Sequence, residues 1–93
     1  MADDNSVFIG NKPFMNYVTS VVIQFTTKGA REVIVKARGK FISRAVDVAE
    51  VAMKRFMKDQ IALKEIRIDS EEFKNQEGHD IRVSIIEITL MKK

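Results

Sequence analysis

The chain has 93 residues, of which 45% are hydrophobic and 31% charged, and its formal net charge is +3. These values predict one small globular domain, 1–93, that buries about 60–65% of its unfolded surface, and they exclude a disordered chain. Because there is no cysteine, disulfides and thiolate metal sites are excluded, and packing or self-association has to stabilise the domain. The polar start MADDNS, with residues 1–5 expected to be disordered, and the lack of about 18 consecutive apolar residues favour a cytoplasmic protein away from membranes.

The first third of the chain predicts a strand, a helix and a second strand. Ser6 to Ile9 is a short strand that ends at Gly10. Pro13 suits the first turn of a helix that runs to about Thr27, because its missing N–H would have no partner there. This helix has one apolar face, formed by Phe14, Tyr17, Val18, Val21, Val22 and Phe25. Glycine and a β-branched run at 33–35 then predict the second strand.

The rest of the chain predicts a second helix and a closing hairpin. After Gly39, apolar residues recur at helical spacing from Phe41 to about Lys58. Strands are predicted at 61–68 and 81–91, with a polar hairpin tip around 75–78 between them. The resulting order β-α-β-α-β-β indicates an α/β fold of the α+β kind, a two-layer sandwich with both helices on one face of the sheet.

The last strand changes its alternation phase. Val83 and Ile85 belong to one phase, whereas Ile86, Ile88 and Leu90 belong to the other. Either a β-bulge, or a strand that extends beyond the core and there buries its other face, explains the change. The long strand and the small core together predict a homodimer.

The basic segment VIVKARGKFISRAV at 33–46 is the strongest functional signal. It carries Lys36, Arg38, Lys40 and Arg44 with no acidic residue among them, and removing these four cations would take the formal charge from +3 to −1. A basic strand, glycine turn and helix offer cations and free backbone N–H groups together, which favours binding to a phosphate-bearing polymer. Right-handed crossovers would bring the loop with Lys12 to the same end of the sheet, and its cation to the same patch.

Three segments of the chain resemble one known family. IGNKPFMNYV at 9–18, VIVKARGKFISRAVDVAE at 33–50 and IRVSIIEITLMKK at 81–93 are similar, in order and spacing, to the Alba family of archaeal chromatin proteins. The resemblance implies a four-stranded mixed sheet with a β3-β4 hairpin arm, as in the C-terminal domain of a bacterial translation initiation factor. It also implies a homodimer that associates with the chromosome, binds double-stranded DNA with little sequence preference and compacts or coats it. Binding of RNA by the same protein is implied as well, and neither a cofactor nor a small-molecule substrate is expected.

The resemblance also implies roles for individual residues. Lys12, Lys36, Arg38, Lys40 and Arg44 match basic positions of the DNA-facing surface, and the hairpin at 70–80 matches an arm that follows the minor groove. Within that arm the candidates are Lys74, Asn75 and Arg82, and Phe56 matches a position where neighbouring dimers meet on DNA. Many members have two adjacent lysines after the glycine, the first being the acetylated one. Here Asn11 takes that place and joins the candidate surface, so that only Lys12 is left as a possible acetylation site.

Several of these residues have alternative interpretations. Arg38 is open to pairing with Asp47 or Glu50, and Arg44 is open to a similar structural role. The phenylalanines at 14, 25 and 41 are interpreted as core or interface, and Phe56 as either core or a protein contact. His79 and the acids around the hairpin tip are interpreted as solvated, because their spacing fits neither a zinc nor a calcium site.

Three classes of function compete. The favoured class is a nucleic-acid-binding architectural protein, with a mainly RNA-binding protein that acts on structured RNA as the alternative. An enzyme is disfavoured because the chain has no P-loop, no glycine-rich dinucleotide fingerprint and no cysteine nucleophile. The third class is an assembly module that uses Phe56 and the sheet for protein contacts alone.

Overall fold

A computed structural model describes residues 5–93 and contains the predicted order of strands and helices. The elements are β1 Ser6–Phe8, α1 Phe14–Thr26, β2 Glu32–Arg38, α2 Ile42–Val51, β3 Ile61–Lys74 and β4 Asp80–Lys92. Disorder was predicted for residues 1–5, and residues 1–4 lie outside the described residues. At Asn5 it is corrected, because the side-chain amide of Asn5 donates a hydrogen bond to the carbonyl of Glu32 at 3.0 Å.

The four strands form one mixed sheet in the order β1-β2-β4-β3. β1 runs parallel to β2, while β4 pairs antiparallel with β2 on one side and with β3 on the other. Because β1 and β2 are parallel neighbours, they end at the same edge of the sheet, and both helices begin there. The α+β fold with a four-stranded mixed sheet is therefore confirmed.

The hydrophobic core lies between the two helices and one face of the sheet. Alternate residues of β2 (Val33, Val35 and Ala37) and of β4 (Ile86, Ile88 and Leu90) are buried on that face. The helices cover them with Val18, Val21 and Phe25 from α1 and with Ala45, Val48 and Ala49 from α2. Phe14 and Phe41 pack against this core, so the core interpretation of the helical phenylalanines is confirmed. Neither helix in the described chain is long and apolar enough to span a membrane.

The opposite face of the sheet, called the outer face here, is defined by the strand register. Phe8 of β1 lies beside Lys36 of β2, and Lys36 lies beside Glu87 of β4. Val83 and Ile85 lie on the same outer face, and β4 keeps an unbroken register against both of its neighbours. The phase change in β4 thus arises from extension beyond the core.

The irregularity of the sheet lies in β3 instead of β4. Leu63 pairs with Leu90 and Glu65 with Thr89, so Lys64 is the additional residue of a β-bulge. Glu32 accepts a hydrogen bond from the Lys64 ammonium and thereby raises the pKa of Lys64 above its usual value. β3 also runs further than predicted, because the polar residues 70–74 pair with 80–84 and form the base of the arm.

The second helix differs from the uniform helix predicted for 41–58. A 3₁₀ turn, Gly39–Phe41, precedes α2, and a π-helical turn, Ala52–Phe56, follows it. The π turn is closed by the N–H of Met57, which donates to the carbonyl of Ala52 at 2.9 Å. The wider turn leaves Phe56 with 52% of its surface exposed, which favours its interpretation as a protein contact over a core residue.

Candidate nucleic-acid interface

The loops that follow β1 and β2 meet at one edge of the sheet, as predicted. The N–H of Ile9 donates to the carbonyl of Lys36 at 2.9 Å, which holds the end of β1 against β2. Arg44, in the first turn of α2, donates from Nη2 to the carbonyl of Lys12 at 2.7 Å. We call Lys12, Lys36, Arg38 and Lys40 the basic patch. These four cations come from two loops and one strand that the parallel pairing of β1 and β2 brings together.

Arg44 is the structural link of this arrangement. Its guanidinium carbon lies 6.0 Å from the ring centroid of Phe14 and 5.9 Å from that of Tyr17. Its Nε atom is buried and has no hydrogen-bond partner in the described chain. The structural alternative for Arg44 is therefore supported, although its partner is a backbone carbonyl and not a carboxylate. Its contact with nucleic acid stays a prediction.

Tyr17 holds the Lys12 loop and was missed as a functional residue. Its hydroxyl accepts hydrogen bonds from the backbone N–H groups of Gly10, at 3.0 Å, and Lys12, at 2.9 Å. The side chain is only 7% exposed, so the hydroxyl has a buried position and needs partners. The available signal was a tyrosine on an otherwise apolar helical face, one turn after the loop. Tyr17 fixes the backbone from which the Lys12 side chain projects.

Two cations of the basic patch have carboxylate partners on β3 and β4, which are distant from them in the sequence. Arg38 Nη2 lies 2.7 Å from Glu71 Oε1, and more than half of each side chain is exposed. Lys36 Nζ lies 3.8 Å from Glu87 Oε2 across the β2-β4 pair. The partners proposed for Arg38 from sequence were Asp47 or Glu50, and the structure corrects this to Glu71. The local excess of positive charge in the sequence is thus partly balanced in space.

Lys12 and Lys40 are the unbalanced cations of the patch. Within residues 5–93 neither ammonium lies within 4.0 Å of a carboxylate, and both residues are exposed, as is Asn11. Lys40 Nζ lies 5.4 Å from the ring centroid of Phe41, which orients it without neutralising it. Among residues 5–93, therefore, the charges of these two lysines are not balanced by an ion pair.

The hairpin arm carries a mixed set of charges. Lys74 Nζ pairs with Asp80 Oδ1 at 2.9 Å, and Asn75 Oδ1 accepts from the N–H groups of Glu77 and His79, each at 2.9 Å. Asn75 therefore shapes the tip of the arm. Arg82 has no carboxylate within 4.0 Å among the described residues, so its charge is not balanced by an ion pair there, unlike that of Lys74. No group of acidic and histidine side chains in this part of the molecule is arranged to hold a metal ion.

Phe8 lies among these cations and was also missed. It is 65% exposed, on the outer face, with Lys36 Nζ 5.4 Å from its ring centroid. One groove beside Phe8 is lined by Lys36 and Arg38, and another by Asn11 and Lys12. Successive side chains of a strand point to opposite faces of the sheet, so in SVFI the residue between Val7 and Ile9 lies on the other face. Val7 and Ile9 are buried, and this alternation was the available signal that Phe8 is exposed.

Known proteins are similar to this chain in sequence and in fold. A family model described as Alba matches residues 5–70. The DNA/RNA-binding protein Alba of Methanococcus maripaludis is 53% identical over 89 residues, which cover 96% of this chain and 99% of the relative. DNA/RNA-binding protein Alba 1 of Archaeoglobus fulgidus is 54% identical over 90 residues, covering 97% of this chain and 98% of the relative. The solved structure of Alba from Thermoplasma volcanium has a TM-score of 0.83 at 49% identity and covers 94% of this chain and 99% of that one. This chain belongs to the Alba family.

Proposed function

We propose that this protein is an architectural chromatin protein, a homodimer that binds double-stranded DNA with little sequence specificity and coats or compacts it. The observation that carries the proposal is the junction of two cation-bearing loops at one edge of the sheet. Arg44 of α2 bonds the carbonyl of Lys12 in the first loop, and Tyr17 of α1 holds the backbone of that same loop. The names of its relatives, which describe DNA/RNA-binding proteins, support the same class of ligand. Association with the chromosome is the corresponding location.

The patch binds DNA by neutralising phosphates. Lys12 and Lys40 are exposed and unpaired within residues 5–93, so they supply the first contacts. Arg38 and Lys36 add contacts by exchanging a carboxylate partner for a phosphate. Each neutralised phosphate releases condensed counterions, and the logarithm of affinity falls by about 0.9 per logarithmic unit of salt for each such phosphate. Contacts of this kind position a protein on the duplex without reading base sequence.

The second copy of the chain is proposed to cover an apolar row on β3. Leu63, Ile66 and Ile68 pair with the core residues of β4 and lie on the helix side of the sheet, yet all three are exposed. Ile68 is 77% exposed, which is unfavourable for an aliphatic side chain on an edge strand. A homodimer that buries this row would carry two basic patches and two arms.

The arms and Phe56 extend the proposed complex along the DNA. An arm built from 70–74 and 80–84 reaches away from the core, and the longest dimension of the molecule is 47 Å against 25 and 20 Å for the others. We assign to it contacts along the minor groove, through Arg82 and, after exchange of its ion pair, Lys74. Phe56, exposed at the end of the π turn, would contact a neighbouring dimer.

Lys12 is the residue through which acetylation would regulate the patch. Its neighbour Asn11 has no charge to lose, whereas acetylation of Lys12 would remove one of the unpaired cations. The variant Lys12→Gln mimics this loss. It should weaken binding to duplex DNA as much as Lys12→Ala does, and a smaller loss would mean that length and polarity of the side chain matter more than its charge.

The test of the proposed function is the salt dependence of duplex binding. Lys12→Ala or Arg38→Ala should weaken binding to unrelated duplexes by the same factor and lower the salt slope by about 0.9 for each phosphate that is no longer neutralised. Lys28→Ala is the matched control, because Lys28 is an exposed cation at the opposite end of α1. A change in sequence preference with an unchanged slope would refute phosphate neutralisation as the mechanism.

A mainly RNA-binding protein is the second candidate, favoured by the exposed aromatic ring of Phe8 within the patch. Competition of duplex DNA against structured RNA at fixed salt distinguishes the two candidates by which ligand displaces the other. Absence of binding to either nucleic acid at low salt would instead favour a pure assembly module.

A further inference from the structure

One side of β1 has no neighbouring strand within residues 5–93. β1 is the first strand in the sheet order β1-β2-β4-β3, so it pairs on one side only. On that side the carbonyl of Asn5 and the N–H of Ile9 bond to β2, each at 2.9 Å. Because the main-chain groups of a strand point alternately to its two sides, the N–H and carbonyl groups of Ser6 and Phe8 point away from β2. We call these groups the free edge of β1, and such an edge binds extended peptides as an additional strand.

A polar groove runs along the free edge of β1. Its volume is about 540 Å³, and α1 forms its other wall with side chains that include Asn16, Thr19 and Ser20. These three residues are exposed, and Asn16 and Ser20 lie on one face of the helix because they are four positions apart. Among the described residues that line the groove, Lys12 is the only charged one. Ser6 Oγ is buried at this edge and has no hydrogen-bond partner in the described chain.

The sheet geometry determines which side chains an added strand would carry. A residue beside Phe8 would lie on the outer face, where the ring, 65% exposed, offers an apolar contact. The alternate residues would lie on the helix side, where Asn16 and Ser20 suit hydroxyl or amide side chains. A carboxylate would complement Lys12, whose ammonium has no carboxylate within 4.0 Å in residues 5–93.

We propose that the free edge of β1 binds an extended acidic peptide segment of a partner protein as a fifth strand, with a carboxylate of the peptide on Lys12. Because Lys12 also belongs to the basic patch, the bound peptide competes with DNA for this cation. The partner would therefore weaken the hold of the protein on DNA. This competition rests on the proposed function, whereas the binding of the peptide does not.

N-methylated peptides test the strand pairing without changing the protein. The probe is a short capped peptide of alternating threonine and valine with a glutamate at each end, and fluorescence anisotropy measures its binding to the full chain. N-methylation of all valines, or of all threonines, removes the N–H groups on one side of the extended peptide. One of these two peptides should bind at least about tenfold more weakly than the probe, and the other should stay within about twofold of it. Equal losses, or a probe that does not bind, would overturn the proposal.

Protein variants test the edge and the cation. Ser6→Pro removes an N–H that points away from β2, so the pairing of β1 with β2 is kept. It should bind the probe at least about fivefold more weakly than Ser6→Ala, which keeps the N–H, and equal binding would overturn the pairing. A probe with lysine in place of both glutamates should bind the wild type more weakly, and this difference should disappear in Lys12→Ala. A difference that persists in Lys12→Ala would overturn the carboxylate contact.

Two further measurements separate the proposal from its alternatives. Ser6→Pro should have the mass of the wild type in light scattering, and a lower mass would overturn the proposal by showing that a second copy occupies the free edge. At saturation the probe should weaken duplex binding to the level of Lys12→Ala, and an unchanged duplex affinity would overturn the competition. Failure of the proposed function would look different, because the probe would then bind to a protein that binds no duplex at low salt.

Discussion

The hydroxyl of Tyr17 provides the sharpest prediction about how the patch is built. In Tyr17→Phe, the N–H groups of Gly10 and Lys12 lose the acceptor that now lies 3.0 and 2.9 Å away. At a net contribution of about 1 kcal/mol for each hydrogen bond, the free energy of unfolding should fall by about 2 kcal/mol. For a domain of this size such a loss lowers Tm by about 8–16 °C.

The same variant should weaken DNA binding without removing a charge. A loop that is no longer held must be ordered on binding, at a cost of about 1–2 kcal/mol, which corresponds to about 5- to 30-fold weaker affinity. The salt slope should stay at the wild-type value because every cation is still present. Lys12→Ala should show the opposite pattern, with a lower slope and little loss of stability.

Thermal unfolding at fixed protein concentration and duplex titrations at several salt concentrations measure these quantities. Ser20→Ala is the matched control: it removes an exposed hydroxyl one turn further along α1, which bonds only the carbonyl of Asn16. Its stability should stay within about 0.5 kcal/mol of wild type. A Tyr17→Phe protein as stable as Ser20→Ala would refute the role of the hydroxyl in holding the loop. A salt slope lowered as in Lys12→Ala would instead mean that Tyr17 itself contacts phosphate.

Three further predictions concern the ion pairs, the dimer and assembly on DNA. Glu71→Gln should raise duplex affinity about 1.4- to 5-fold, because Arg38 then binds phosphate without giving up an exposed ion pair. The control Glu50→Gln removes an equal charge on α2 and should leave duplex affinity unchanged. Equal effects of the two variants in titrations would show that only net charge matters. If the proposed dimer forms through β3, Ile68→Glu should be a monomer in light scattering at micromolar concentration while the wild type is a dimer. A monomeric wild type would contradict the proposed interface. Phe56→Ala should lower the cooperativity of binding to long DNA and leave the affinity for a duplex with room for a single proposed dimer nearly unchanged. Unchanged cooperativity on long DNA would exclude Phe56 as the contact between proposed dimers.

The sequence predicted the fold well because local signals separate its elements. Gly10 with Pro13, and Gly39 before a helical apolar pattern, mark where each helix begins, and the structure agrees at both places. The bulge at Lys64 was not predicted, because a bulge depends on how two strands pair and not on the pattern of one strand.

Membership of the Alba family, a family of nucleic-acid-binding proteins and not of enzymes, confirms that the chain is not an enzyme.

The site was predicted less completely, for a physical reason. The cluster of cations is local in sequence, so charge counting found it. The carboxylates that face Arg38 and Lys36 come from β3 and β4, and only the strand register brings them there. Tyr17 was missed because the hydrogen bonds of its buried hydroxyl depend on how α1 packs against the Lys12 loop. Phe8 was missed because its exposure depends on the side of the sheet on which it lies.

The carboxylate partners change how the patch should be measured. In the proposed complex Arg38 would displace counterions from DNA whether or not Glu71 competes for it, so the salt slope should count phosphate contacts alone. The competing carboxylate of Glu71 instead lowers affinity by the free energy of the exposed ion pair, about 0.2–1 kcal/mol. Salt reduces this free energy only by screening the two charges of the pair, which is a small effect beside counterion release. Glu71→Gln should therefore raise affinity with nearly the same slope, whereas Lys12→Ala lowers both. Slope and intercept together separate the number of phosphates bound from the cost of freeing each cation.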